Sequence, residues 1–449
     1  MPANRPTGGG KSLVLLLTSL AVGWSPPLGA SLGSPSARQT IRHHTLVEQD
    51  PSFPPELTQA EAAIDKKDYP AAVALLRKVV EEHPNNYQAW FDLGFVENAL
   101  GHTQESIAAY RKSVTAKPDV FESNLNLGLM LAKTGQPDAE EFLRAATKLT
   151  PTGDRAQGQA RAWISLGHIL EHSKPEEATQ AYLEAAALTP KDPEAHLSAG
   201  LLLDEQNRFL DAEQQYKQVL AVDPQSSDAL TGLANLYLRG HRLADAEQVL
   251  EELLRLRPND PAVHLELGRV LAAAGNKQEA IRELESATKL VPADPDLERQ
   301  LADLYSASQR YDQAEAEYRR LVAERPQDAE SHHGLGVVLM KQKKFAAAEQ
   351  ELLMAVKLKP DSGAAYGDLA VAANENKNYA LAIRAADARA KYLPEIPVSY
   401  FLRATAYDHL RAYKQAAENY HKFLDVAHGE YPDQEWQARH RLIAIEPKK

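Results

Sequence analysis

Apolar residues follow one repeating pattern over most of the 449-residue chain. Ten prolines close successive periods, and the seven from Pro190 to Pro394 stand 34 residues apart. When each period is numbered so that its proline is position 32, apolar or small residues occupy positions 4, 7, 8 and 11 and then 20, 24 and 27. Each set is spaced by three or four residues, as on one face of an α-helix. The pattern predicts two amphipathic helices per period and an all-α chain.

One period shows which residue types fill these positions. Trp90, Leu93, Gly94, Tyr110 and Pro118 occupy positions 4, 7, 8, 24 and 32. This arrangement resembles the tetratricopeptide repeat (TPR), and the resemblance covers residues 53–428 in about eleven copies. It implies a right-handed superhelical solenoid of antiparallel helix pairs with a concave groove.

Small residues at two positions predict a close approach of the paired helices, because larger side chains there would overpack the contact. We expect the glycines at position 8 to face the alanines at position 20. These residues are Gly94, Gly128, Gly167, Gly200, Gly268 and Gly336, and Ala212, Ala246, Ala280, Ala314 and Ala348.

Two segments depart from the regular period. Residues 152–159 add about six residues before the fourth repeat, and a tolerated loop insertion is the simpler interpretation. A bend in the solenoid at this point is the alternative. Residues 429–449 follow the last repeat as a capping helix and tail. We expect a helix over 433–445 to cover that repeat with Trp436, Leu442 and Ile443.

The amino-terminal segment reads as an export signal. Arg5 and Lys11 precede an apolar run over 13–22, and small residues follow, so residues 1–30 are predicted to be a secretory signal peptide. Residues 31–52 are predicted to be a disordered spacer. The run is shorter than the ~20 residues that span a bilayer, so an uncleaved anchor is the less favoured alternative. We expect an exported protein, periplasmic or secreted, with membrane attachment only if this segment is retained.

Composition and charge narrow the function classes. The chain has no cysteine, which excludes disulfides, cysteine zinc sites, iron–sulfur clusters and cysteine nucleophiles. Its net charge of -12 disfavours broad contact with nucleic acid or an anionic membrane surface. No cofactor is expected.

The face opposite the packing positions is the candidate binding surface. At 100° per residue, positions 2, 5, 9, 12 and 13 form one stripe, which lines the concave groove in proteins of the TPR family. Apolar residues on a face that packing does not claim point to a protein-contact surface. Coverage by the superhelix itself or by the spacer is the alternative. The residues predicted to bind a partner are Phe91, Phe95, Leu125, Leu129, Leu197, Leu201, Asn235, Arg239 and Arg269.

One catalytic motif occurs, and the repeat already explains it. His168, Glu171 and His172 form H-x-x-E-H, which on a helix resembles an inverted zinc-protease arrangement. Leu170 is the packing position 11 of the same repeat helix, so a metal-binding or hydrolytic role is only a remote alternative. The leading hypothesis is a non-catalytic scaffold that binds a peptide segment or protein partner of unknown identity in the groove. A membrane-anchored assembly factor for an envelope complex or secretion machine is the second.

Overall fold

A computed structural model of the chain describes residues 54–292 and 294–446. All regular secondary structure in these residues is α-helical, and the helices form consecutive antiparallel pairs, as the sequence predicts. Each helix packs mainly against the helices before and after it in the chain. None of the described helices is both long and apolar enough to cross a membrane. The predicted signal peptide and spacer lie outside the described residues.

The described part of the chain contains 23 helices. In chain order they are α1 (Pro55–Asp65), α2 (Tyr69–Glu82), α3 (Tyr87–Ala99), α4 (Thr103–Ala116), α5 (Phe121–Lys133), α6 (Ala139–Lys148), α7 (Arg155–Leu170), α8 (Pro175–Leu188), α9 (Pro193–Glu205), α10 (Phe209–Val222), α11 (Ser227–Arg239), α12 (Leu243–Leu256), α13 (Pro261–Ala273), α14 (Lys277–Leu290), α15 (Pro295–Ala307), α16 (Tyr311–Glu324), α17 (Ala329–Lys341), α18 (Phe345–Leu358), α19 (Gly363–Glu375), α20 (Tyr379–Arg389), α21 (Pro397–His409), α22 (Tyr413–Ala427) and α23 (Pro432–Ile445).

Buried side chains at position 24, several of them tyrosines, fill the space that the glycines leave. A Cβ added at Gly200 would lie 2.8 Å from Tyr216 Cε1, and one at Gly232 of the next repeat would lie 2.4 Å from Tyr216 Cζ. The ring is therefore held between backbones of two successive repeats. Gly94 approaches Tyr110 in the same way. The close approach is confirmed, but its main partner is corrected: position 24 faces these glycines, as a tyrosine opposite Gly94, Gly167 and Gly200 and as a leucine opposite Gly128, Gly268 and Gly336. A Cβ added at Gly268 would also lie 3.3 Å from the Ala280 carbonyl oxygen, so the expected approach to position 20 is confirmed at that glycine.

Side chains at position 4 connect successive repeats through the closing proline. Trp90 Nε1 donates to the Pro84 carbonyl at 2.8 Å, and Asn124 Nδ2 donates to the Pro118 carbonyl at 2.8 Å. The rings of His264 and His332 lie 3.1 and 3.2 Å from the carbonyls of the corresponding prolines. Because a carbonyl oxygen only accepts, each of these nitrogens is a donor. The position that the sequence marks as apolar or aromatic is thus also a polar link between repeats.

The insertion at residues 152–159 lengthens a helix more than a loop. Helix α7 begins at Arg155 and has 16 residues, so most of the insertion forms its first turn. Asp154 caps this turn, since its carboxylate accepts a hydrogen bond from the Gln157 backbone at 3.1 Å. Thr152 anchors the preceding loop by donating to Glu122 Oε1 at 2.6 Å. The loop-insertion interpretation is wrong for residues 155–159.

The terminal helix lies where the sequence predicts it, and of the three residues expected to cover the last repeat only Leu442 is buried. Ala438 and Leu442 of α23 are buried together with Tyr420 and Phe423 of α22. Trp436 is 61% exposed and Ile443 is 72% exposed, so neither covers the last repeat. The expectation for these two residues is wrong, because they lie on the side of α23 that faces away from α22.

Candidate protein-binding groove

The first part of the predicted apolar stripe is core. Phe91 is 1% exposed, and its ring meets Tyr110 edge-on with the ring centroids 5.6 Å apart. It shares a buried cluster with Leu127 and Met130 of the following repeat. Leu125 and Leu129 are buried in the main core. The assumption that packing leaves these three positions open is wrong, because the next helix pair covers them, and they present no surface to a partner.

The remaining predicted apolar residues are only half-buried. Phe95 lies edge-on to Tyr69, with the ring centroids 6.5 Å apart. Leu197 and Leu201 pack against the main core and keep part of each side chain accessible. These two leucines occupy positions 5 and 9 of α9, one turn apart on the same face.

Two arginines of the stripe are held in place by neighbouring repeats. Arg239 forms an ion pair with Asp204 and lies over the Phe209 ring, with its guanidinium carbon 4.9 Å from the centroid. Arg269 donates to Gln300 Oε1 at 2.7 Å. Fixed guanidinium groups lose less side-chain entropy when they bind a ligand. Asn235 is half-buried beside them on α11.

Together these residues define one candidate surface, which we call the α9–α13 surface. It combines accessible apolar area with positioned polar groups, as binding sites for peptides commonly do. Helix α9 carries the two leucines and contacts α11, which carries Asn235 and Arg239. The apolar and polar portions of the surface therefore adjoin. Its members are Leu197, Leu201, Asn235, Arg239 and Arg269. Whether they bind a partner remains a prediction.

The cross-repeat ion pairs were not predicted from the sequence. Arg239 and Asp204 are 35 residues apart, and His333 Nε2 lies 2.7 Å from Asp368, also 35 residues away. Arg441 binds both carboxylate oxygens of Asp408 over a separation of 33 residues. Residues of opposite charge that stand about one period apart in the sequence would have predicted these ion pairs.

The H-x-x-E-H segment forms a local hydrogen-bond cluster. His168 Nδ1 lies 2.7 Å from the Tyr182 hydroxyl and 3.2 Å from Glu171 Oε1, while its Nε2 lies 3.6 Å from Glu194. Burial lowers the pKa of the His168 imidazole, but the neighbouring carboxylates of Glu171 and Glu194 outweigh it and raise the pKa to about 9. The Tyr182 hydroxyl then accepts from His168 and donates to Glu171. The metal alternative needs at least three His, Asp or Glu side chains that converge on one point. The described residues contain no such group.

Comparison with known proteins decides the family. Residues 39–298 match the family described as the C-terminal domain of cilia and flagella-associated protein 70, and residues 299–363 match a tetratricopeptide repeat family. The first match covers more than half of the chain. The chain belongs to this family of TPR proteins. The TPR solenoid is typically a non-catalytic scaffold that binds proteins or peptides.

Individual relatives of this TPR chain are distant or partial. Tetratricopeptide repeat protein 37 of Xenopus laevis is 34% identical over 87 residues, which are 19% of this chain and 6% of that protein. Protein O-mannosyl-transferase TMTC3 of Homo sapiens is 23% identical over 156 residues, which are 32% of this chain and 17% of that protein. The matched regions are thus small fractions of both curated relatives.

Solved structures similar to this chain include further TPR proteins. YrrB is 21% identical with a TM-score of 0.39, over 42% of this chain and 96% of that one. The Cut9–Hcn1 heterotetramer is 15% identical with a TM-score of 0.39, over 86% of this chain and 96% of that one. These likenesses concern the fold alone.

Proposed function

We propose that the chain is a non-catalytic scaffold that binds a peptide segment of a partner protein on the α9–α13 surface. The observation that carries the proposal is the half-burial of Leu197 and Leu201, next to the positioned Arg239 and Arg269. An apolar side chain of the ligand would remove the two leucines from water. Asn235 and the arginines would donate hydrogen bonds to its backbone carbonyls or carboxylates. An extended or helical segment with one apolar anchor meets these requirements.

Peptides selected from a random display library on the purified chain provide the test. We expect Arg269→Gln and Leu201→Ser each to weaken a selected peptide by about tenfold, which is ~1.4 kcal/mol of binding free energy. Leu210→Ser is the matched control, because Leu210 is 81% exposed and lies outside this surface. Circular dichroism melting checks that each variant stays folded. Equal affinity of all three variants for the selected peptide, or failure to select any peptide, would contradict the proposal.

We further propose that the scaffold is exported. The support is the sequence of residues 1–30, in which basic residues precede a short apolar run and small residues. Amino-terminal sequencing of the protein recovered from a secreting host distinguishes a cleaved chain from one that keeps residues 1–30. A mature chain that begins near residue 31 supports export with cleavage. An intact amino terminus in the membrane fraction supports the anchored assembly factor, and an intact amino terminus in the cytosol contradicts both.

A further inference from the structure

A second surface lies at the turns that join the helices within successive pairs, apart from the α9–α13 surface. Lys343 lies in the turn between α17 and α18, and Lys377 lies in the turn between α19 and α20. The structure gives neither side chain a hydrogen bond or ion pair with any residue in 54–292 or 294–446. Both are exposed. Lys343 and Lys377 thus place two unneutralised cations at adjacent turns of a chain whose net charge is -12.

The backbone at these two turns favours a smaller residue. Lys343 and Lys377 have φ of 62° and 63°, in the left-handed region where glycine is least strained. Equivalent turns elsewhere in the array use several residue types, among them Gly101, Gly135, Gly275, Asn207, His241 and Gln309. Lysine is therefore not required by the conformation of these turns, and what it adds is a positive charge projecting from each turn.

A shallow groove of about 610 Å³ separates the two turns. Part of its lining is apolar, and the charged residues of the lining are three lysines and one glutamate. Of the lysines, Lys344 is already paired with Glu315 at 2.7 Å. Its lining includes Lys343, Lys344, Phe345, Ala347, Glu375 and Lys377.

The amino-terminal end of α18 adds to the positive potential in this groove. Helix α18 begins at Phe345, and no side chain caps it. The first backbone N–H groups of a helix lack intrahelical acceptors and carry partial positive charge. An acidic side chain placed beside Phe345 would meet both these N–H groups and the ammonium groups of Lys343 and Lys377.

The next turn along the array extends the same surface. Arg411, between α21 and α22, also has a positive φ and no ion pair among the described residues. Leu410 and Tyr413 beside it are exposed. His409 stacks on Tyr379 with the ring centroids 4.4 Å apart, which joins this turn to the preceding one. Cationic and apolar side chains thus alternate over three successive turns.

We propose that these turns bind an acidic peptide segment of a partner protein that carries an apolar side chain. The ligand carboxylates meet Lys343, Lys377 and Arg411, and its apolar side chain lies against Phe345. The apolar part of the lining favours such a segment over a nucleic acid, because a peptide can place one apolar side chain against Phe345.

Fluorescence anisotropy with a labelled synthetic peptide tests this surface. The probe has about twelve residues, which are all Asp or Glu except for one central Phe. Its charges attract it to the cationic turns, and the Phe provides one apolar contact. We expect the double variant Lys343→Asn, Lys377→Asn to raise its Kd about tenfold, because asparagine tolerates the left-handed backbone while removing the charge. The probe with Ala in place of Phe should bind several-fold more weakly to the unaltered chain, since the contact with Phe345 is lost.

The matched control is the double variant Lys66→Asn, Lys67→Asn. Lys67 occupies the equivalent left-handed turn after α1, with φ of 59°, and the charge removed is the same. We expect this variant to bind the probe as the unaltered chain does. Leu201→Ser should also leave this affinity unchanged, which keeps the test independent of the α9–α13 surface. Equal losses in the two double variants, no binding of the probe, or equally tight binding of single-stranded DNA of similar length would each overturn the proposal.

Discussion

The same repeat position has different surroundings along the array. The fifth residue of α3 is Phe91, which is buried, whereas the fifth residue of α9 is Leu197, which is half-buried. The difference follows from what the next repeat places over that position. A side chain at position 5 is thus fully or only partly buried according to its neighbours.

Burial of Phe91 leads to the first prediction. Phe91→Ala should lower the free energy of unfolding of the repeats that contain it by ~3–5 kcal/mol, because it leaves a cavity against Tyr110. Leu210→Ala, at an exposed position, should change it by no more than ~0.5 kcal/mol. Urea denaturation followed by circular dichroism measures both. A Phe91 variant as stable as the Leu210 variant would show that position 5 of this repeat is surface after all.

The His168 cluster predicts a pH dependence of stability. The folded chain holds the His168 pKa at about 9, above its ordinary value of 6.5, so the folded state binds this proton more tightly than the unfolded state. The resulting stabilisation is complete below about pH 6.5 and is lost as pH rises to about 9. We expect the urea midpoint to fall over this window. Nuclear magnetic resonance titration of the His168 ring checks the pKa directly.

Two variants attribute that fall in stability to one residue. His168→Gln should remove this part of the pH dependence, whereas His241→Gln, in an exposed turn, should keep it. The same fall in the urea midpoint in the unaltered chain and in both variants would mean that a group other than His168 causes it.

At the scale of helices, polar contacts at the proline position join one pair to the next. Asn124 is buried and donates from Nδ2 to the carbonyls of both Pro118 and Val120 at 2.8 Å. Asn124→Ala leaves both carbonyls without this donor, and we expect a cost of ~1–3 kcal/mol. The opening free energy of α5 from hydrogen exchange measures the loss. Asn419→Ala is the control, because Asn419 bonds to its own helix in an exposed position, and a loss as large there would contradict the junction role.

Helix pairing was predictable from the sequence, and side-chain partners were not. The 34-residue period alone places the pairs, because each set of apolar positions forms one helix face. The start of α7 was missed because local capping by Asp154 decides it, not the period. Burial of Leu125 and Leu129 was missed because helical angles describe one helix and ignore the covering repeat. The α9–α13 surface was predicted as a stripe, but the anchoring of Arg239 by Asp204 needs two repeats in register.

For the whole molecule, contacts between chain neighbours imply a nearest-neighbour stack. Removal of residues 429–449 should expose Tyr420 and Phe423 and release Asp408 from Arg441. We expect faster hydrogen exchange in α21 and α22, with exchange in α1 to α10 unchanged. Mass spectrometry of exchanged peptides resolves the two regions. Uniformly faster exchange would mean that the array unfolds as one cooperative unit instead.

Hydrogen exchange of the chain with and without a saturating selected peptide tests the central claim most directly. Slower exchange in α9, α11 and α13 is the result that peptide binding on the α9–α13 surface predicts. Slower exchange confined to other helices, or no change in exchange with the peptide bound, would contradict it.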